Sequence, residues 1–582
     1  MSRDWSQLKQ KRAAKEHPHP DPHPDPLSDS DWIRTQLPPS LRLVRHPDRG
    51  RGLATQTDLR LTAGSTLLAT HPLVSVLDAR NLAHRCSHCF RSVDDLDPPR
   101  PSAPKLLQCS LCHIVQYCSP ACQKSDWSIH KKECAALRAA VKQRRESGTK
   151  HLVPDAPLRA LARLLWSAQI PAGNETWQQV ESLESHRSRL SPEEQERFFQ
   201  LSVSLSAYVG QETLAESCPA GAAVIDLCSR FVSNSFALTC PTDLSNIGVS
   251  ISPLTALINH SCVPNAVVVF PSLPSSTSTS SRNMAVVALR DLEPGEEVVT
   301  SYVDLSLPRS ERQRELEERY KFRCRCQGCT APASKAVDPR EAMLCPVAAR
   351  SGCEGLIAIP EDSDATLDKV QCPRCGTTAP YKDVRPAIEA AKKAYSDADK
   401  AQYNDPRLAA LQLSNLISTL TSSLSPAPPL ASSAYPLYSA LQLLLTVQLH
   451  AHQFDAALAT SSVALRGARH LFPRGHPVLA LLLTTHARLL TTPPSTAAGS
   501  DAAAAQEREM QYWMATDRRV QDIQALVTAL KEVEVAFGDG GANGRGRGGE
   551  MAVLLRTLIR DQEEGIEMGR RIKASMAGQQ AS

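Results

Sequence analysis

The sequence predicts an α+β multidomain chain that closes with an all-helical region, and three observations carry that reading. Short apolar runs broken by Gly and Asp turns fill two separated stretches, Leu41 to Leu77 and residues 246–305. Seven of the 18 cysteines lie between Cys86 and Cys134, three between Cys324 and Cys329, and four between Cys345 and Cys375. After about residue 385, apolar residues recur at three and four positions, the spacing of a helix face. A length of 582 residues suits three or four domains, and 42% hydrophobic with 22% charged residues fits a folded soluble protein. A formal charge of +4 is small for that length and makes no electrostatic case for direct nucleic-acid binding.

Residues 1–38 are rich in Pro, His, Asp and Ser and hold too little apolar surface to offset the entropy of ordering, so a disordered leader is expected. That reading takes precedence over loose metal binding by "HPHPDPHP". The leader lacks the apolar segment of a secretory signal, and no run approaches the ~20 residues that span a bilayer. An intracellular, reducing setting (nucleus and cytoplasm) without a membrane role is therefore expected, where cysteines serve more often as metal ligands than as disulfides.

Residues 39–85 read as two or three strands, and 86–134 form the Cys/His segment. Residues 135–245 carry helical spacing, as in "APLRALARLLWSA", where Leu158, Leu161 and Leu165 share a face. Residues 246–310 return to strands, with "PSSTSTSSRN" as an exposed hairpin loop. Residues 311–335 hold "FRCRCQGC", residues 340–380 hold four further cysteines, and 385–582 are helical. There Tyr438, Leu441, Leu445 and Leu449 mark one buried stripe, and "FDAALATSSVALRGARHLF" a second helix. "GDGGANGRGRGGE" reads as a loop between helices rather than an RNA-binding segment.

The Cys/His segment offers Cys86 and Cys89, Cys109 and Cys112, Cys118 and Cys122, then His130 and Cys134. Four chelating pairs make eight ligands, enough for two closed tetrahedral zinc sites with no position left for chemistry. This module is structural and presents a surface. A lone buried cysteine such as Cys262, in "INHSC", is ordinarily a small apolar filler. Cys324, Cys326 and Cys329 form a three-ligand set lacking a fourth, and Cys262 would complete it, tying a later segment onto the "NHSC" turn. Cys345, Cys353, Cys372 and Cys375 are either a fourth structural zinc site, favoured by the "CPRCG" knuckle, or four partly buried thiols in a linker.

The finger spacing, with Tyr117, Gln123 and Trp127, resembles the MYND zinc finger. The resemblance implies that Cys86, Cys89, Cys118 and Cys122 hold one ion and Cys109, Cys112, His130 and Cys134 the other, and that the surface takes proline-rich peptides. "GRGL" from Gly50, "NHSCVPN" from Asn259, "GEEVVTSYVD" from Gly295 and "YKFRCRCQGC" from Tyr320 together resemble a SET domain with its post-SET zinc. A MYND finger inserted after the first SET strands is similar to the SMYD family of protein-lysine methyltransferases. "HLFPRGHPV" resembles that family's TPR-like C-terminal domain. The implied fold is a SET β-fold with inserted MYND finger and helical insert, followed by an all-α TPR-like domain.

The same resemblance implies S-adenosylmethionine as cofactor, a protein lysine as substrate on a histone or another protein, and a monomer. It places Arg49, Gly50, Arg51, Gly52, His186, Asn234, Asn259, His260, Tyr302 and Phe322 at the cofactor, with Tyr302 and Tyr320 as the catalytic tyrosines. Taken singly, His186 reads as a surface histidine and Tyr302 as a strand aromatic. Two departures bear on the lysine channel: Leu307 stands where relatives often carry a tyrosine, and Ser250 and Ser252 lie in "GVSISP" where a glycine and a tyrosine are usual. Two further readings compete with the enzyme. One is an inactive SET/MYND zinc adaptor for proline-rich partners in transcriptional regulation, against which the full cofactor set speaks. The other is a nucleic-acid binder, which the absence of a C₂H₂ pattern weakens.

Overall fold

In "LRLVRH" and "GRGLAT" apolar side chains alternate on either side of a tight turn, and Gly50 takes the positive φ of 71° that reverses the chain. These become β1 (Leu41–His46) and β2 (Gly50–Thr55), paired antiparallel with Val44 opposite Gly52. The computed structural model describes residues 31–92, 106–148, 153–170, 173–218, 221–271, 284–330, 337–360, 368–381, 384–422, 428–492, 511, 515–539 and 547–580. The "HPHPDPHP" and "PSSTSTSSRN" tracts and the centre of "GDGGANGRGRGGE" lie outside the described residues. Met1–Leu37 and Pro38–Ser582 are separate compact units. In the first, Asp31–Gln36 is helical although it lies within the expected unstructured leader. Its Trp32 and Ile33 are buried, supplying the apolar burial that the Pro/His/Asp tract lacks.

Residues 41–77 form four strands rather than two or three, adding β3 (Thr66–Thr70) and β4 (Val74–Leu77). The finger contributes the short hairpin β5 (Leu107–Gln108) and β6 (Gln116–Tyr117), followed by the helix Pro120–Glu146. Strand structure resumes earlier than residue 246, at β7 (Ser235–Thr239), and continues through β8 (Asn246–Ile251), β9 (Asn259–His260), β10 (Ala266–Val269), β11 (Met284–Ala288) and β12 (Glu297–Thr300). "SFALT" was masked in the sequence by the helical pattern running into it, because a five-residue run carries little period of its own.

Three small sheets result, in the orders β1-β2-β12-β9, β10-β11-β3 and β4-β8-β7. The pairing that builds the site is β12 with β9. It is parallel, setting Val299 against Asn259 and Thr300 against His260. The insert helices, including Ala156–Ala168, Pro192–Val209 and Gly221–Asn234, share a core with Val74, Val76 and Ile251 of β4 and β8. The finger is seated on Leu77, Leu238 and Ile247.

Past residue 337 come two hairpins, β13 (Ala342–Leu344) with β14 (Leu356–Ala358), and β15 (Lys369–Gln371) with β16 (Thr378–Pro380). Among the described residues seven helices follow from Val384, each packing against the next. Tyr438, Leu441 and Leu445 are buried and Leu449 half-buried. In the helix Phe454–Leu471, a Cβ on Gly467 would lie 2.3 Å from the Ser432 carbonyl oxygen, so glycine permits that approach. The helical core also takes in Val269, Ala285 and Val287 of the SET strands. No described helix is long and apolar enough to cross a membrane.

Candidate active site and zinc centres

Four groups of cysteine and histidine converge, each with its ligand atoms within 4.8 Å of one another. Cys86, Cys89, Cys118 and Cys122 form one group and Cys109, Cys112, His130 and Cys134 a second, the interleaved arrangement. Cys262 meets Cys324, Cys326 and Cys329, and Cys345 meets Cys353, Cys372 and Cys375. Thiolates about 2.3 Å from a tetrahedral zinc sit roughly 3.8 Å apart. The sulfur separations here fit that spacing: 3.5 Å for Cys89–Cys118, 4.0 Å for Cys109–Cys134 and 3.5 Å for Cys262–Cys329. None of these cysteines is in a disulfide.

In the finger, Ser119 caps the helix Pro120–Glu146 by accepting from the Cys122 N–H (3.2 Å), which fixes the first turn that carries a ligand. One face of that helix then presents His130 and Cys134. Between them Glu133, fully buried, faces His130 Nδ1 at 3.5 Å and accepts from Arg159 Nε and Arg163 Nε, both at 2.9 Å. Arg163 also pairs with Asp126, which accepts from the Tyr117 hydroxyl at 2.8 Å. Arg159 Nη1 donates to the Leu77 carbonyl at the end of β4 (3.0 Å). Burial alone would push the Glu133 carboxyl up, but Arg159 and Arg163 hold it well below the usual carboxylate range. A charged network thus bolts the finger to the insert helix Ala156–Ala168. The signal was present as two arginines four apart inside an apolar helix, and went unread.

The cofactor candidates converge on one cleft of about 1030 Å³. Arg49, Gly50, Arg51, His186, Asn234, Asn259, His260, Tyr302, Tyr320 and Phe322 all line it, as do Cys324 and Cys326 of the third cysteine group. Gly52 does not. It lies behind Asn259, where a Cβ would stand 2.9 Å from Asn259 Nδ2 and 3.0 Å from Glu297 Oε1, so its part is to let those side chains in. Asn259 Nδ2 donates to the Arg51 carbonyl (3.0 Å) and to Glu297 (2.9 Å). Glu297, in the strand "EVVT", also pairs with Arg49 at 2.8 Å and faces His46 at 3.1 Å. It organises this wall although the motif reading passed over it.

His260 links cleft and cysteine group: its Nδ1 accepts from the Tyr302 N–H (3.0 Å) and its Nε2 stands 3.4 Å from Cys262 Sγ. The Tyr302 hydroxyl donates to the Ile258 carbonyl at 2.5 Å. Its ring lies 4.9 Å from Tyr320 and edge-on to Phe322 at 6.5 Å. Burial, reinforced by Tyr320 and Glu297, pushes the Tyr302 phenol up, so it stays protonated. Burial, with Arg189 and Lys321 nearby, pushes His186 down to about 4, so that side chain is neutral. Asn234 Nδ2 donates to the Glu184 carbonyl (2.9 Å), tying the helix Gly221–Asn234 to the 182–186 segment.

The helix Arg309–Tyr320 ends at Lys321 in the left-handed region (φ 60°), which turns Phe322 and the cysteines back across the cleft. Gln313 clamps that return, donating to the Cys324 carbonyl (2.8 Å) and accepting from its N–H (2.9 Å). The two departures do not line this space. Ser252 is buried in hydrogen bonds with Thr70 (3.1 Å) and Thr255 (3.0 Å), and neither it nor Leu307 is among the residues lining the cleft.

Residues 86–134 match the MYND finger model and residues 112–303 the SET domain model. The chain is 26% identical to "Histone-lysine N-methyltransferase ASHR1" of Arabidopsis thaliana over 450 residues, covering 76% of this chain and 85% of that protein. It is 28% identical to "Histone-lysine N-methyltransferase SMYD3" of Homo sapiens over 284 residues, 48% of this chain and 59% of that one. With "N-lysine methyltransferase SMYD2" of Gallus gallus it shares 30% identity over 296 residues, 50% of this chain and 60% of that one. The matched stretch thus spans about 60% of the length of these two animal relatives.

Proposed function

We propose that the chain is a protein-lysine N-methyltransferase of the SMYD type, built on a SET domain with a MYND finger and using S-adenosylmethionine, with a histone or another protein as substrate. The observation that carries this reading is the convergence of four remote segments on one cleft: 49–51, 182–186, 259–260 and 320–326. An adaptor without catalysis would have no use for that convergence.

S-adenosylmethionine, when bound, supplies an electrophilic methyl group. The donor set fits such a ligand: backbone at Gly50 and Arg51 for close approach, the Asn259 and His260 strand for its polar ends, and the Phe322 ring for its base. A substrate lysine enters as an ammonium with a pKa near ~10.4 and must shed its proton to react. A channel walled by Tyr302 and Tyr320 disfavours the charged form by desolvation and holds the amine in line. Tyr302, kept protonated and anchored on Ile258, orients by hydrogen bonding and does not take a proton as a strong base. Zinc in the two finger groups and the Cys262 group serves structure, since each has four protein ligands and no open position. The finger, with Leu107, Leu111 and Trp127 exposed, is the proposed dock for proline-rich segments.

The test is transfer of a radiolabelled methyl group to proteins of a cell extract by wild type and Tyr302→Phe. The variant is expected to lose at least about 100-fold in turnover, the scale of one positioned catalytic hydroxyl. S-adenosylhomocysteine binding, measured by calorimetry, should stay within about threefold of wild type. Undiminished turnover in Tyr302→Phe would overturn the role given to it, and no transfer by wild type to any protein would overturn the activity.

A further inference from the structure

We propose that Cys345, Cys353, Cys372 and Cys375 hold a further zinc ion that braces the junction between the SET body and the C-terminal helices, independently of methyl transfer. The four cysteines occupy equivalent places in two hairpins. Cys345 follows β13 and Cys372 follows β15 by one residue, while Cys353 and Cys375 each lie three residues before the returning strand. The backbone repeats as well: the Cys345 N–H donates to the Gly355 carbonyl (3.0 Å) and the Cys372 N–H to the Thr377 carbonyl (2.9 Å). Each hairpin therefore offers a two-sulfur claw. The claws interlock across the hairpins, with Cys345 Sγ 3.5 Å from Cys375 Sγ and Cys353 Sγ 3.9 Å from Cys372 Sγ. Those separations bracket the roughly 3.8 Å edge of a zinc tetrathiolate and are far longer than a disulfide.

Two further features favour a metal over a packed patch of thiols. A Cβ on Gly355 would stand 2.4 Å from Cys372 Sγ and 3.4 Å from Cys353 Sγ, so a residue without a side chain is what lets the sulfurs close. Burial does not account for the convergence, because Cys375 is exposed and Cys353 half-buried while Cys345 and Cys372 are buried. The two thiols left partly or fully open to solvent gain little from the hydrophobic effect by joining the buried pair, whereas four thiolates around a divalent cation gain a closed site.

The place of the site gives its role. Three-residue strands in two-stranded hairpins are too short to stand alone in water. The first hairpin is nonetheless built into the helical region: the Ala431 N–H donates to the Ala342 carbonyl (3.0 Å) and the Leu344 N–H to the Pro429 carbonyl (2.9 Å). Ala342, Met343, Ile357 and Cys372 belong to the same core as Leu437 and Tyr438 of the helices and Val287 of the SET sheet. A metal that fixes both hairpins fixes that core where the short strands enter it.

Full-length protein purified without chelator is the sample. Its zinc, released by acid and measured by mass spectrometry, should number four equivalents per chain, falling to three in the double variant Cys372→Ser, Cys375→Ser. S-adenosylhomocysteine binding in that variant should stay within about threefold of wild type. Alkylation mapping of the wild type covers the case in which the variant fails to fold: Cys375, although exposed, should resist iodoacetamide until a strong chelator is added. Three equivalents in the wild type, or alkylation of Cys375 at the rate of a free surface thiol before chelation, overturns the proposal.

Discussion

The Cys262 group and the Cys345 group offer the same four sulfurs at the same spacing, yet their surroundings differ. Cys324 and Cys326 are themselves walls of the cleft, and Cys262 stands 3.4 Å from His260. No cysteine of the Cys345 group lines that cleft, and the group is continuous instead with the helical core. The first cluster joins a turn to a segment more than sixty positions later, whereas the second closes two neighbouring hairpins. A closed tetrathiolate has one chemistry, and its consequence is set by which stretches of chain it ties together.

The largest expected effect breaks that comparison at its stronger side. Cys326→Ser removes one ligand and frees the return segment that carries Phe322 and Cys324 across the cleft. S-adenosylhomocysteine affinity should fall about a thousandfold, or ~4 kcal/mol, since the lost wall supplies both shape and contacts. Cys372→Ser, by contrast, should leave that affinity within about threefold while lowering the denaturant midpoint. Equal losses of affinity in both variants would show that the two clusters are coupled and would sink the distinction.

The finger supplies an intermediate case, in which zinc ligands are positioned by charge rather than by the cleft. Arg163→Met removes the guanidinium shared by Asp126 and Glu133 and leaves buried carboxylates short of a partner. The loss is expected to be about 3 kcal/mol of stability, the lower end for breaking a buried pair from one side. Hydrogen exchange should rise in 106–148 and in Ala156–Ala168 together, with cofactor affinity unchanged; exchange confined to the mutated helix would mean that the network does not join the two bodies. Glu297→Gln is a smaller step. It keeps an acceptor for Asn259 but loses the ion pair with Arg49 and should weaken S-adenosylhomocysteine binding about tenfold at low salt and less at high salt, because that pair is partly solvated.

What the sequence disclosed follows from how local each signal was. Ligand pairs such as "CSHC" and "CPRCG" are chelating units in themselves, so the four groups could be read before any fold was known. The cleft was legible because "NHSC", "RGRG" and "YKFRC" are contiguous motifs, and all the cofactor candidates but Gly52 line it. Glu297, Gln313 and Glu133 were not, because each acts only through a partner distant in the chain, and an acidic or amide side chain on a strand or helix has no pattern of its own. The strand Ser235–Thr239 was lost to the helix before it, and the helix Asp31–Gln36 to the polar composition around it, since a window average hides an element of five or six residues.

The smallest predicted effect sharpens the comparison by proton. His476 begins the helix Pro477–Thr491, and its Nδ1 accepts from the Val478 N–H (3.3 Å), a contact only the neutral ring makes. Desolvation beside Phe472, whose ring stacks on it at 4.8 Å, pushes it down to about 4 from an ordinary 6.5. The unfolded chain therefore binds more protons between pH 6.5 and 4, and stability must fall as pH is lowered through that window, while above it this residue contributes no pH dependence. At pH 5.5 the loss is about 1 kcal/mol. Acid also threatens the thiolate clusters, but His476→Asn keeps an acceptor at the cap and cannot titrate, so the difference between variant and wild type isolates the histidine. The gap in unfolding free energy should open as pH drops from 7 to 5.5. A constant gap would show that the ring is protonated without penalty.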